Sequence, residues 1–108
     1  MADSAVQHPE GKDLTLVTIV AEALLERRLL DDLRHLGATG YTIGAARGEG
    51  SRGSRSGDWE GGNIRVEVIV SNTTASAILD RLAERYFEHY AVIAWTSDVH
   101  VLRGEKYL

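Results

Sequence analysis

The chain is 108 residues long, 44% hydrophobic and 26% charged, with a net charge of −4. That length fits one domain with a modest core, which association between protomers would help to stabilise, and the acidic balance argues against a general nucleic-acid binder. Cysteine is absent, which excludes disulfides, thiol nucleophiles and cysteine-ligated zinc, and fits a reducing cytoplasm as the expected location.

Residues 1–12 are polar, contain the only proline, Pro9, and show no secretory signal, so a disordered tail is expected before one domain over residues 13–108. No apolar run approaches the roughly 20 residues that span a bilayer, so no membrane insertion is expected. Residues 14–21 (LTLVTIVA) are β-branched and apolar on both faces, the pattern of a central strand. A helix is expected over residues 22–36, with Leu25, Leu29, Leu30, Leu33 and Leu36 on one side. Gly37 is placed as its left-handed cap, with Arg34 and His35 at its negative end. His35 reads as a solvated residue of the last turn.

A second strand covers residues 41–46 and a third 63–70 (NIRVEVIV). Alternation in the third sends Ile64, Val66, Val68 and Val70 to the core and Arg65 and Glu67 away from it. Asn72 or Thr73 caps a second helix from residue 74 to about 90. Ala75, Ile78, Leu79, Leu82 and Tyr86 form its stripe, while Asp80, Arg81, Glu84, Arg85 and Glu88 lie on its wet face. Residues 91–102 form a fourth strand, and 103–108 a short tail able to lie on a neighbour. Strand, helix, strand, strand, helix, strand is the order of the ferredoxin-like α+β fold. Two helices on one face leave the other open. The apolar first, third and fourth strands, including Ile19, Ile69, Ile93 and Trp95, suggest that other subunits meet it.

Strands two and three flank a long loop and should form an antiparallel hairpin with an extended tip. Six of the eleven glycines fall between Gly48 and Gly62, with Arg47, Arg52 and Arg55 in the same region. Such a segment buries too little apolar surface to fold alone and should be mobile until something orders it. Glycine lets backbone amides approach an anion, and arginine offers planar forks that match phosphate or carboxylate. The loop therefore reads as a ligand-ordered anion site. Trp59 is costly to leave exposed and points to docking. The pattern G-x-x-x-x-G-K-[ST] is absent. Ser51, Ser54 and Ser56 have no histidine and acid spaced to activate them, so no enzymatic activity is expected. His8, His35, His89 and His100 are scattered without metal-binding spacing, and His100 reads as structural or interfacial. Asp58 and Glu60 read as solvated rather than as acid or base.

The run Gly37-Ala38-Thr39-Gly40-Tyr41-Thr42 resembles the G-A-x-G-Y-T that precedes the large loop of PII-like signalling proteins. Gly48-Glu49-Gly50-Ser51-Arg52 with Arg55-Ser56 resembles the G-x-G-S-R-x-x-R-S motif of their bicarbonate-linked branch, the SbtB-type and carboxysome-associated proteins. Asn63-Ile64-Arg65-Val66-Glu67 is similar to that branch's N-I-K-F-E, and Tyr86-Phe87-Glu88-His89-Tyr90 to its Y-F-x-x-Y. The resemblance implies a homotrimer binding ADP or AMP, with ATP and cAMP as further candidates, in clefts closed by the large loop (the T-loop, residues 47–62). It also implies bicarbonate as a ligand, no cofactor, and a partner in inorganic-carbon metabolism such as a bicarbonate transporter or carboxysome protein. By position, Ser51, Arg52 and Arg55 would meet the phosphates, with Gly50 in the same nucleotide-binding set and Arg103 reaching the phosphates from the next subunit. Gly40, Tyr41, Thr42, Ile43, Asn63, Ile64, Arg65, Tyr90, Ala91 and Val92 would line the adenosine pocket. Arg65 stands where many relatives carry lysine, and the cysteine-bearing tail of some relatives is missing. A metal-tolerance or structural trimer of the same fold is the alternative, and slow nucleotide hydrolysis in the loop a third reading.

Overall fold

The computed structural model describes residues 6–50, 53–54 and 62–108. Strand β1 (Gly11–Glu22) is followed by a 3-10 turn (Ala23–Leu25), helix α1 (Glu26–His35) and strand β2 (Thr42–Ala46). Short strands β3 (Glu49–Gly50) and β4 (Gly53–Ser54) pair with each other, and then come β5 (Asn63–Val70), helix α2 (Asn72–Arg85) and β6 (Val92–Leu102). A second 3-10 turn (Gly104–Tyr107) follows β6. The main sheet has the antiparallel order β2-β5-β1-β6. Each helix thus carries the chain past one intervening strand, as the ferredoxin-like order requires. The β2–β5 hairpin closes with Ala46 opposite Asn63. The loop it carries is not wholly irregular, because Glu49 pairs with Ser54 and Gly50 with Gly53.

The helices cover one face of the sheet. Val17, Ile19 and Ala21 of β1 and Ile64, Val66, Val68 and Val70 of β5 meet Leu29, Leu30 and Leu33 of α1 and Ala75, Ile78 and Leu82 of α2 in one buried cluster. Each such side chain contributes roughly 1.5–3 kcal/mol relative to exposure. Ile19, expected with the open-face residues, belongs to this covered side and is fully buried. Thr18, next in the chain, pairs with Glu67 and Trp95 and so shares the opposite face with them. There the Arg65 side chain bonds Glu67 Oε2 at 3.2 Å and its guanidinium lies 5.6 Å from the Trp95 ring centre, and Thr18 is buried.

Several element ends differ from expectation. β1 begins at Gly11, so Gly11 and Lys12 lie in the sheet and the polar segment before it is shorter than residues 1–12. The His8 backbone N–H donates to His100 Nε2 at 2.8 Å, and His100 Nδ1 lies 2.8 Å from Asp13 Oδ1, which ties this segment down. His100 is structural, as its place on the strand suggested. At its other end β1 continues through Glu22, opposite Asn63, and delays the helix to Glu26. Gly37 does end α1, with φ at +112°; its N–H bonds Arg34 and that of Ala38 bonds Leu33, a Schellman closure. Ser71, rather than Asn72 or Thr73, caps α2, accepting from the Thr74 N–H at 3.2 Å. α2 stops at Arg85 instead of near residue 90. The Tyr86 hydroxyl is held at 2.6 Å by Asp32 on α1, and the Phe87 N–H bonds Leu82 across a widened turn. Arg81 is half-buried, not on the wet face, and bonds Asp32 Oδ1 at 2.9 Å.

Candidate functional site

The loop leaves and re-enters the sheet at Ala46 and Asn63, and the residues around that point form a row across all four strands of the main sheet. Ala46 faces Asn63, Asn63 faces Glu22, and Ala21 faces Val92. The Ala23 N–H donates to the Gly62 carbonyl at 2.9 Å, fixing the returning arm of the loop against the β1 corner. On the other side of that corner, Glu22 Oε2 accepts the Ala91 N–H at 2.8 Å. Arg28 Nη1 donates to the Tyr90 hydroxyl at 3.1 Å, and its guanidinium lies 4.8 Å from the Tyr86 ring centre and 5.6 Å from that of Tyr90. Asn63 and the Tyr90–Ala91–Val92 turn, far apart in sequence, are thereby brought to one end of the sheet.

The remaining expected residues fall elsewhere. Gly40 and Tyr41 precede β2 at the end of that strand away from the loop, and Thr42 pairs with Glu67. Tyr41 is held by Arg34, whose Nη2 lies 3.4 Å from its hydroxyl. Thr39 Oγ1 donates to the Lys106 carbonyl at 3.2 Å, so the segment after Arg103 reaches the start of β2. Arg103 itself adopts a left-handed backbone with φ of 64°, and its side chain is exposed. Ile43 packs against the core, Ile64 is buried in it, and the Arg65 guanidinium is engaged by Glu67 on the open face. Gly50 lies in β3, while Ser51, Arg52 and Arg55, with Asp58, Trp59 and Glu60, lie outside the described residues. Two contributors were not anticipated from sequence, Glu22 and Arg28. Both fall within the helix expected over residues 22–36, off its leucine stripe. An acidic residue directly at a strand end was the one available hint for Glu22.

Burial pushes the Tyr86 phenol well above the usual tyrosine range, and its hydrogen bond to Asp32 adds to the effect. Tyr86 is thus a neutral donor that couples α1 to the end of α2. A shallow depression of about 580 Å³ on α1, lined by Glu26, Arg27, Leu30, Asp31 and Arg34, contains none of the expected binding residues. Among the described residues no group of three or more acidic or histidine side chains could hold a metal ion, and no helix is long and apolar enough to cross a membrane.

The family described as nitrogen regulatory protein P-II matches residues 14–106. The chain belongs to the P-II family. It is similar to a PII-like signalling protein from Thermus thermophilus, with 63% identity over 92% of this chain and 99% of that one and a TM-score of 0.81. CPII from Thiomonas intermedia, bound to ADP and bicarbonate, shares the fold at 23% identity, covering 94% of this chain and 100% of its own with a TM-score of 0.84. A second structure of CPII, bound to ADP, AMP and bicarbonate, matches at 22% identity over 93% and 98% of the chains, with a TM-score of 0.83.

Proposed function

We propose that this P-II family member is a non-enzymatic signalling trimer of the bicarbonate-linked branch. It binds ADP or AMP in clefts between protomers, takes bicarbonate as a second anion, and addresses a partner in inorganic-carbon metabolism through its T-loop. The observation that carries this reading is the separation of the expected binding residues into two groups on one sheet. Asn63, Tyr90, Ala91 and Val92 gather where the loop departs, whereas Gly40, Tyr41 and, through the Thr39–Lys106 bond, the Arg103 segment gather before the start of β2. A compact nucleotide reaches both groups when one protomer supplies the first and its neighbour the second. Edge strand β2 and the apolar open face offer the surfaces on which neighbours would close. The ligands of CPII agree with this chemistry.

On this reading Ser51, Arg52 and Arg55 meet the phosphates. Their charge-assisted bonds offset the entropy lost when the loop orders. Ligand identity becomes loop shape, and the difference in affinity for the two loop states sets the size of the signal. ADP or AMP titrated calorimetrically into the full chain should give saturable binding, weakened at least about tenfold by Arg52→Ala and by Arg55→Ala. Absence of heat at millimolar nucleotide overturns the reading. Stabilisation by divalent metal without any nucleotide effect would favour a metal-tolerance trimer instead.

A further inference from the structure

We propose that Glu22 is a positioning residue for the nucleoside end of the bound nucleotide, a role that rests on the adenine-nucleotide reading above. Three observations converge on it. Glu22 closes β1 directly opposite Asn63, so its backbone registers the strand on which the loop returns. The next residue, Ala23, donates its N–H to the Gly62 carbonyl, extending that contact to the loop arm itself. The half-buried Glu22 side chain then reaches 69 positions along the chain to accept the Ala91 N–H at 2.8 Å. One residue therefore joins the returning arm of the loop to the Tyr90–Val92 turn, the two segments that would enclose adenosine at this end.

The carboxylate acts through the turn rather than on the ligand. A backbone N–H bonded to an ionised acceptor is held more firmly than one bonded to a neutral group or to water. Arg28 supports the neighbouring residue independently, by its bond to the Tyr90 hydroxyl. With both ties made, the spacing between Asn63 and Ala91 is set before any ligand arrives, and less ordering is left for binding to offset.

Two variants of the full chain separate this role from general support of the fold. Glu22→Met keeps the side-chain length and removes the acceptor; Glu22→Gln keeps an acceptor oxygen without the charge. Calorimetry should show ADP affinity about tenfold weaker for Glu22→Met and within about threefold of wild type for Glu22→Gln, since the bond persists in weaker form. Amide exchange at Ala91 should accelerate in the methionine variant and be largely restored in the glutamine variant. Wild-type affinity in Glu22→Met, or a glutamine variant as weak as the methionine one, overturns the positioning role while leaving the nucleotide reading intact. A wild-type chain that binds no ADP removes both.

Discussion

Ile19 and Ile93 sit on adjacent strands of one sheet, yet Ile19 is fully buried and Ile93 is 60% exposed. The side facing the helices is closed by this chain's own Leu29, Leu33, Ile78 and Leu82. The other side carries half-buried Leu16, Val20 and Ile69 beside exposed Ile93 and Trp95, with one Arg65–Glu67 pair set among them. Hydrophobic driving force has no direction of its own. The two faces differ because the connections place both helices on one side, and the second face is left for another surface to cover.

The strongest way to break this comparison is to put the same charge on each face. Ile19→Asp buries an unpaired carboxylate and should cost on the order of 5 kcal/mol, comparable to the whole stability of a domain this size. Circular dichroism would then report a largely unfolded chain. Ile93→Asp should change protomer stability by less than about 1 kcal/mol, because the site is already solvated. In light scattering it should lower the assembly mass toward that of one protomer. Retention of the wild-type mass would show that this face is not where protomers meet.

Tyr86→Phe sharpens the contrast by asking how much of the covered side depends on polar ties. Loss of the hydrogen bond to Asp32 should cost about 1.5 kcal/mol near neutral pH. The phenol's raised pKa also gives the wild type a distinct alkaline profile. Unfolded tyrosine ionises near pH 10, whereas the folded chain still holds the Tyr86 proton there. The stabilisation from this group is therefore complete below about pH 10 and declines as pH rises beyond it. Urea midpoints measured from pH 9 to 11 should fall less steeply for Tyr86→Phe than for wild type. Ser71→Ala, which removes the α2 cap, should cost less than Tyr86→Phe, about 1 kcal/mol in the same denaturation assay.

The strand alternation was readable because β5 shows period two without interruption, and Ile64 to Val70 fell on the faces that period assigns. Gly37 was readable because the left-handed close of a helix strongly favours glycine. Ile19 was misassigned for a physical reason: in a central strand both faces are apolar, so composition cannot tell which one the helices take. The extension of β1 to Glu22 and the early stop at Arg85 were hidden because tertiary bonds decide them, Glu22 to Ala91 and Tyr86 to Asp32. The pairing of Arg81 with Asp32 likewise joins positions 49 apart, beyond the reach of local pattern. For the candidate site, sequence motifs proposed the segments. Only the assembled sheet separates them into a loop-end group and a group before β2.

The turn after β6 shows an arginine and a glycine in exchanged roles. Arg103 adopts the left-handed torsion that glycine would accept at lower cost, while Gly104 lies where an added Cβ would come within 2.9 Å of the Lys12 side chain. Space therefore fixes the glycine at 104, and the torsional strain falls on a residue that presents a permanent cation to solvent. Moving that glycine one place earlier would ease the backbone, crowd Lys12 and erase the guanidinium together, so geometry and charge at this corner cannot be altered independently.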